Sequence, residues 1–292
     1  MSPQASSRRH VLSTDGVALA VYELGDPGRP TVVAVHGYPD DHTVWDGVVA
    51  LLADDFRVVT YDVRGAGASE APKSRAGYRI PQLVDDLAVV LDATAPGEKV
   101  HLLAHDWGSI QSWGAVTDER FADRLAGFTS ISGPSLDMAG AWVRRFDTHP
   151  LSSLRQLAMS SYIGLFQAPF VPEALARAGV VDWAVARSSA GGGSHHPRHG
   201  RRPTRDLVNG LELYRANMLG SGVRTVPSRA VAPVQVLAPA HDAHVVSRMQ
   251  REAPAPYVDT LVSHEIDGNH WVVEQRPELI ARHVRDFISF VG

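Results

Sequence analysis

Asp106 is the residue from which the chemistry of this chain is best argued, because it stands in the middle of the segment Ala-His-Asp-Trp-Gly at 104–108. The apolar residues at 100–104 predict a buried strand, and the residues after Gly108 predict the start of a helix. A strand, a sharp turn and a helix place the central residue of the turn at the carboxyl edge of a sheet, and small neighbours such as Ala104 and Gly108 permit the strained turn. A carboxylate in that position predicts attack on an alkyl carbon and an alkyl–enzyme ester intermediate.

A general base for the second half of such a reaction is expected after the last strand. His270 stands in the segment Asp-Gly-Asn-His-Trp at 267–271, which follows a strand predicted over 260–266. A histidine in a loop beyond the sheet edge can reach both the nucleophile and a water molecule. We favour it over His264, which lies within the predicted strand and is expected to point into a packed layer.

The acid that orients the imidazole is predicted to be Asp242. It follows a strand predicted over 234–238, and it fits the chain order nucleophile, acid, base. A carboxylate there can accept the second imidazole N–H and stabilise the imidazolium. Asp137, which follows the preceding strand, is the alternative, whereas Asp267 is too close to His270 along the chain for an easy approach.

Backbone N–H groups that could hold an oxyanion are predicted in the segment His-Gly-Tyr-Pro at 36–39. This segment follows a strand predicted over residues 31–35, so its loop can aim N–H groups at the same sheet edge. The N–H of the residue after the nucleophile would supply the second donor. The residues expected to form the oxyanion hole and to contact the substrate are therefore His36, Tyr38, Pro39 and Trp107.

Short strands rich in β-branched residues alternate with helical segments along most of the chain. This alternation predicts an α/β fold with a mostly parallel central sheet and helices on both faces. After Ser-Gly-Pro at 132–134 the strand pattern stops, and it resumes only late in the chain. We therefore predict a core over 1–133 and 231–292, with a helical cap at 134–230 inserted after the sixth strand. The strands are predicted over 17–22, 31–35, 56–61, 100–104, 125–131, 234–238 and 260–266, and the best-defined helix over 80–94.

Two further segments are predicted to be loops. Within the cap, the stretch 188–203 combines three consecutive glycines with several histidines and arginines, and we predict a mobile loop there. The segment Arg-Gly-Ala-Gly-Ala-Ser at 64–69 resembles a phosphate-binding loop only superficially, because no helix starts at its glycines. We interpret it as a structural loop under the site rather than a nucleotide site.

The composition excludes several function classes. The chain has 292 residues, of which 44% are hydrophobic, and it contains no apolar run long enough to span a membrane. The net charge is −4 and the basic residues are not clustered, so no nucleic-acid partner is expected. Cysteine is absent, which excludes thiol catalysis.

The remaining expectations concern cofactors, partners, localisation and oligomeric state. No motif predicts a cofactor or a metal site, and the expected partner is a small apolar substrate. The first ten residues show no secretory signal, which favours a cytoplasmic protein, and the scarcity of lysine beside abundant arginine, alanine and valine favours a bacterial origin. The oligomeric state is left open between monomer and homodimer.

Four motifs at the predicted strand ends carry a family resemblance: His-Gly-Tyr-Pro at 36–39, Asp-x-Arg-Gly-x-Gly-x-Ser at 62–69, His-Asp-Trp-Gly at 105–108 and Gly-Asn-His-Trp at 268–271. Together they resemble the α/β-hydrolase fold and, within it, the epoxide hydrolases, from about residue 10 to the end of the chain. One departure is Ala104, where the family more usually has glycine. The segment 188–203 has no counterpart in the family.

The resemblance also implies two cap tyrosines that grip the epoxide oxygen. Tyr162 begins a Tyr-x-x-x-Phe-Gln-x-Pro segment at 162–169, and Tyr214 begins a Tyr-Arg-x-Asn segment at 214–217. Both segments are similar to those of the family. An ordinary amphipathic tyrosine in a helical cap is the alternative interpretation of each.

The function that the resemblance implies is hydrolysis of an epoxide to a vicinal diol, through a hydroxyalkyl ester on Asp106 that water activated by His270 then hydrolyses. A haloalkane dehalogenase would share the nucleophile and the adjacent Trp107, but such enzymes commonly carry Asn where this chain has Tyr38. Fluoroacetate dehalogenases carry Arg at the positions of Trp107 and Ile110. A cyclase, a lyase or a ligand-binding protein on the same fold is a third interpretation, although the intact nucleophile, acid and base argue against a pure receptor.

Overall fold

The computed structural model describes residues 7–189, 201–218 and 226–292. The strands in these ranges are β1 (Ser7–Leu12), β2 (Ala18–Leu24), β3 (Thr31–Val35), β4 (Arg57–Tyr61), β5 (Val100–His105), β6 (Leu125–Ile131), β7 (Val234–Pro239) and β8 (Leu261–Ile266). They form one sheet in the order β1-β2-β4-β3-β5-β6-β7-β8. β2 pairs antiparallel with β1 and with β4, and all other neighbours are parallel. The predicted α/β fold class with a mostly parallel sheet is therefore confirmed.

Helices cover both faces of the sheet and fill the interval between β6 and β7. The helices are α1 (Asp46–Leu52), α2 (Ile80–Thr94), α3 (Trp107–Val116), α4 (Leu136–Arg144), α5 (Pro150–Met159), α6 (Tyr162–Gln167), α7 (Val171–Arg177), α8 (Val180–Ser189), α9 (Thr204–Asn217), α10 (Ser247–Glu252), α11 (Val272–Gln275) and α12 (Pro277–Val291). We call α4 to α9 the cap, because they are the part of the described chain between β6 and β7. Most of the loop predicted at 188–203 lies outside the described residues.

The seven predicted strands are present, with ends shifted by two residues at most, and β1 is an eighth that the pattern did not predict. Its residues Arg8, Arg9 and His10 are polar and exposed. An edge strand that faces solvent lacks the alternation of apolar and polar residues by which strands are predicted. β1 is held by its antiparallel pairing with β2 instead.

The core lies on both faces of the sheet. Along β3, Val33 and Val35 pack into the cluster that contains α2 and α3, whereas Val32 and Ala34 pack into the cluster that contains α1 and α12. This alternation follows from the two-residue period of a strand, and a strand that is buried on both sides reads as continuously apolar. α2 and α12 each carry a proline in the first turn, where its missing N–H leaves no helical bond unmade.

The parallel strands bring the predicted site residues to one edge. The loop at 36–39 follows β3, Asp106 follows β5, Asp242 follows β7 and His270 follows β8. Because parallel strands end at the same side of a sheet, these four positions meet although they are far apart in sequence. None of the helices in the described ranges combines the length and the apolar character that a membrane span requires.

Candidate active site

The backbone at Asp106 forms a strained turn between β5 and α3. Its φ of 53° and ψ of −126° lie outside the regions that an aspartate prefers. A side chain at Gly108 would collide with the carbonyl oxygens of Val35 and His36, and one at Gly37 would collide with the Asp106 carboxylate. The glycines therefore let the loop after β3 approach the nucleophile closely enough for backbone hydrogen bonds.

Backbone N–H groups hold the Asp106 carboxylate. The Tyr38 N–H donates to Asp106 Oδ1 over 2.8 Å, and the Trp107 N–H donates to the same carboxylate. Burial disfavours the charge, but the contact with His270, together with the Trp107 N–H, outweighs burial and lowers the pKa of Asp106. The two N–H groups are thus placed to hold an oxyanion formed on Asp106 itself.

The other residues predicted for the oxyanion loop have supporting contacts. The His36 ring is buried, with Nδ1 2.9 Å from the Gly37 carbonyl oxygen and Nε2 accepting from the Val63 N–H over 2.8 Å. The Tyr38 hydroxyl donates to the Leu207 carbonyl oxygen in α9 over 3.0 Å. His36 therefore shapes the loop, and the Tyr38 side chain connects it to the cap. Pro39 lies beside them and lines a cavity of about 20 Å³.

His270 lies between two carboxylates, as the chain order predicted. Its Nε2 is 3.3 Å from Asp106 Oδ2, and its Nδ1 is 3.1 Å from Asp242 Oδ2. Asp242 also accepts from the N–H groups of His244 and Val245, over 2.8 and 3.1 Å, which fixes its orientation. The alternative base, His264, lies within β8, and the centroid of its ring is 4.8 Å from that of His283. The alternative acid, Asp137, lies in the first turn of α4.

The charges of this group favour an imidazolium in the resting site. Burial alone would lower the pKa of His270, but the carboxylates of Asp242 and Asp106 raise it to about 10. Burial likewise opposes the charge of Asp242, yet His270 and the backbone donors lower its pKa to about 2. The site at neutral pH is thus a row of negative, positive and negative charges.

Tyr162 and Tyr214, the two cap tyrosines of the resemblance, lie together near Asp106, with ring centroids 6.0 Å apart. Their hydroxyls are hydrogen-bonded to each other, and the negative charge of Asp106 contributes to raising the pKa of each. The Tyr214 ring lies edge-on to Trp107 and to Tyr38, with centroids 5.0 and 5.5 Å apart. Burial, more than the nearby charges, raises the pKa of both hydroxyls, so both keep their protons and can donate them.

The residues that accompany the tyrosines in their motifs join the cap helices. Arg215 donates to the carbonyl oxygens of Phe166 and Ala168, each over 2.9 Å, and so connects α9 to the end of α6. Gln167 Nε2 donates to the Tyr214 carbonyl oxygen over 3.3 Å. Asn217 contacts the start of α2, where it accepts from the Ile80 N–H over 3.0 Å. These contacts hold the helices that carry the two tyrosines together and attach α9 to the start of α2.

The glycine loop at 64–69 binds α9. The Gly67 N–H donates to Asp206 Oδ2 and Asn209 Nδ2 donates to the Gly65 carbonyl oxygen, both over 2.9 Å. Arg64 is buried and pairs with the Asp86 carboxylate. The loop therefore supports the helix that carries Tyr214, in keeping with the structural role predicted for it.

A network that sequence reasoning missed joins the cap to both loops of the site. Arg202 Nε donates to Asp40 Oδ1 over 2.8 Å, and Trp271 Nε1 donates to Asp40 Oδ2 over 3.1 Å. The Arg202 guanidinium also lies 5.9 Å from the centre of the Trp271 ring. We call these three residues the Arg202 latch. Since Asp40 belongs to the loop after β3 and Trp271 follows His270, the latch connects the cap to the oxyanion loop and to the base.

His244 is a second residue that the sequence did not single out. Its ring lies 4.7 Å from that of His270 and 5.5 Å from that of Tyr162. Burial lowers the pKa of His244 to about 4, so the imidazole is neutral beside the charged base. Within the described ranges, no group of three or more His, Asp or Glu residues has the arrangement of a metal site.

Comparisons with known proteins agree with the observed fold. The family described as the alpha/beta hydrolase fold matches residues 30–157. A Mycobacterium tuberculosis protein named "Probable oxidoreductase EphD" is 38% identical over 290 residues, which cover 96% of this chain and 49% of that protein. The chain thus spans about half the length of this curated relative.

Solved structures of epoxide hydrolases share the fold. Epoxide hydrolase A from Mycobacterium thermoresistibile superposes with a TM-score of 0.72 and 25% identity, over 99% of both chains. A mutant epoxide hydrolase from Bacillus megaterium, complexed with its diol product, superposes with a TM-score of 0.79 and 20% identity, over 96% of this chain and 100% of that one. The chain therefore has the α/β-hydrolase fold, and its sequence and structure are similar to those of epoxide hydrolases.

Proposed function

We propose that this chain hydrolyses small apolar epoxides to vicinal diols in two steps, both at Asp106. In the first step Asp106 Oδ2 attacks an epoxide carbon, the ring C–O bond breaks and a hydroxyalkyl ester forms. Tyr162 and Tyr214 donate hydrogen bonds to the ring oxygen as negative charge develops on it, and one of them transfers its proton to it. Oδ2 is the attacking atom because Oδ1 is held by the Tyr38 N–H.

In the second step, water cleaves the ester. His270 Nε2 takes a proton from the water molecule whose oxygen attacks the ester carbonyl carbon, while the N–H groups of Tyr38 and Trp107 hold the oxyanion. The tyrosinate left by the first step has by then taken the imidazolium proton of the resting His270, which restores the tyrosine hydroxyl and frees Nε2 as the base. As the tetrahedral intermediate collapses, the second water proton passes to the departing alkoxide, the diol leaves, the Asp106 carboxylate re-forms, and His270 is again the imidazolium of the resting site. One epoxide and one water molecule are consumed for each diol.

The observation that carries this proposal is the convergence of a carboxylate nucleophile, a histidine and two mutually hydrogen-bonded tyrosine hydroxyls. An alkoxide is a far poorer leaving group than a halide, so an epoxide needs hydrogen-bond donors or a proton where a halide does not. The names of the matched epoxide hydrolase structures support the same reaction.

A single-turnover reaction in ¹⁸O-labelled water tests the covalent step. With enzyme in excess over a racemic aryl epoxide, the label is expected in the Asp106 carboxylate and not in the first diol, because water attacks the ester carbonyl. Asp106→Asn should form no adduct, whereas His270→Gln should accumulate an adduct of substrate mass, measured on the intact protein. The matched control is His10→Gln, an exposed histidine on β1.

Two results would contradict the proposal. Label in the first diol would show direct attack by water on the epoxide. Halide release from a panel of haloalkanes, with no diol from any epoxide, would identify a dehalogenase instead.

A further inference from the structure

Helix α5 has its polar side inward and its apolar side outward. Ser153 and Gln156 are buried, whereas Leu151, Leu154 and Leu157 are 81%, 53% and 54% exposed. A helix on the surface of a globular protein normally buries its apolar stripe. Packing among the described residues therefore does not explain the outward leucines of α5.

The buried side of α5 is hydrogen-bonded to the loop that follows Asp242. Gln156 Nε2 donates to the His244 carbonyl oxygen over 3.0 Å, and Gln156 Oε1 accepts from the Val246 N–H over 2.8 Å. These residues follow Asp242 in the loop after β7. The hydrogen bonds show that α5 is seated in a specific orientation, so its leucines face outward because its polar side has partners.

Exposed apolar side chains are concentrated in the cap. Nine of the twelve large apolar side chains that are exposed within the described ranges lie between residues 146 and 183. Trp183 is 63% exposed, whereas the other five tryptophans are at most 5% exposed. Exposed apolar patches of this kind mark surfaces that bind a membrane or a partner. We call the exposed residues from 144 to 187 the cap face.

The charge of the cap face indicates what covers it. Its exposed charged side chains are five arginines and one acidic residue, Asp147, although the whole chain carries a net charge of −4. Arg144 and Arg145 stand at the end of α4, shortly before α5 in the chain, and Arg155 lies on α5 between Leu154 and Leu157. A second copy of the same face would bring like charges together, whereas an anionic lipid surface attracts arginine and admits leucine, phenylalanine and tryptophan.

We propose that the cap face docks on the surface of an anionic lipid bilayer. Its apolar side chains enter the boundary between head groups and acyl chains, and its arginines bind lipid phosphates. No segment crosses the bilayer in this arrangement. The proposal does not depend on the reaction at Asp106, but it places the site of an apolar substrate beside the phase in which such substrates dissolve.

Binding to vesicles tests the docking directly. The full chain is expected to sediment with vesicles of equal parts phosphatidylglycerol and phosphatidylcholine, to bind pure phosphatidylcholine much more weakly, and to be released by high salt. Leu154→Glu/Leu157→Glu should abolish binding. Phe290→Glu is the matched control, because Phe290 is 64% exposed on α12, outside the cap, and it should bind like the parent. Arg155→Gln should bind the vesicles about fivefold more weakly than the parent. Arg29→Gln should bind like the parent, because Arg29 is an exposed residue outside the cap.

Trp183 supplies a second measurement, because it is the one exposed tryptophan among the described residues. Brominated lipid is expected to quench its fluorescence in the parent, and Trp183→Phe should remove the quenched component. Lack of binding to phosphatidylglycerol vesicles at low salt, or full binding by Leu154→Glu/Leu157→Glu, would overturn the proposal. So would a parent dimer that this double variant converts to a monomer, since the face would then bind a second copy. Vesicle binding without turnover of any water-dissolved epoxide would refute the proposed function and leave the docking intact.

Discussion

At the scale of single residues, the charges of the site explain the order of the two proposed steps. In the resting site Asp106 is ionised and His270 is held as an imidazolium by two carboxylates. An imidazolium cannot act as a base, but alkylation converts Asp106 to a neutral ester and removes one of the charges that hold the proton. The base is therefore released by the first step, at the moment when the second step needs it.

Asp106→Asn imitates the loss of that charge. The pKa of His270 is expected to fall from about 10 by about one to three units, because one of its two anionic neighbours is removed. NMR titration of the imidazole measures the shift. Asp147→Asn, an exposed aspartate in the cap, is the control and should leave it unchanged. An unchanged His270 pKa in Asp106→Asn would mean that Asp242 alone sets the charge.

The tyrosine pair makes a second prediction at this scale. Tyr162→Phe or Tyr214→Phe should each raise the alkylation barrier by about 2–4 kcal/mol, because each removes one donor to the developing alkoxide. The double variant should nearly abolish alkylation. Substrate binding should weaken less than the rate falls, since the hydrogen bonds strengthen as charge develops. Rapid-quench measurement of the adduct separates the two effects, and parental rates in both single variants would make the tyrosines structural.

At the scale of elements, the cap is attached to the parts of the core that carry the chemistry. The loop after β3 contacts α9 through Tyr38, and through Asp40 it contacts Arg202, which lies just before α9. On the other side, Asn269, beside the base, donates to the Ser189 carbonyl oxygen at the end of α8 over 3.0 Å. The cap thus contacts both loops of the candidate site, and its position is expected to affect the rate of each proposed step.

Arg202→Gln tests this coupling. Loss of the ion pair leaves the Asp40 carboxylate buried without its cation and loosens the cap beside Trp271, so His270 is held less firmly. Ester hydrolysis is expected to slow roughly ten- to hundredfold while alkylation changes less, so that the adduct accumulates in steady state. Arg201→Gln is the matched control, because the Arg201 side chain is 78% exposed. Equal slowing of both steps would indicate general loss of structure.

The residues at the strand ends could be predicted from the sequence, and the latch could not. Asp106, Asp242 and His270 each follow a short predicted strand, so local patterns locate them and the parallel sheet brings them together. Arg202 and Asp40 are 162 residues apart, and a buried ion pair between them leaves no local pattern. β1 was not predicted for a related reason. Its exposed polar residues show no strand periodicity, and the strand forms because it pairs with β2.

At the scale of the whole molecule, three buried histidines are expected to lower the free energy of unfolding at acidic pH. Burial lowers the pKa values of His101, His105 and His244 to about 4, from an ordinary value of 6.5. The unfolded chain takes up their protons as the pH falls below 6.5, whereas the folded protein does not until about pH 4. The free energy of unfolding therefore falls with pH across this window. His270 acts with the opposite sign, since its pKa is raised and its contribution is lost as the pH rises towards about 10.

His101 isolates this effect because it lies in β5, away from the reacting groups, and its Nδ1 has no hydrogen-bond partner among the described residues. Between pH 7.5 and pH 5.0 the single histidine should cost about 2 kcal/mol of unfolding free energy. His101→Leu should remove that part of the loss, so its stability should depend less on pH than that of the parent. Urea unfolding at the two pH values measures the difference. His10→Leu, exposed on β1, is the control and should keep the parental dependence, and the same dependence in His101→Leu would show that His101 is not a source of the acid sensitivity.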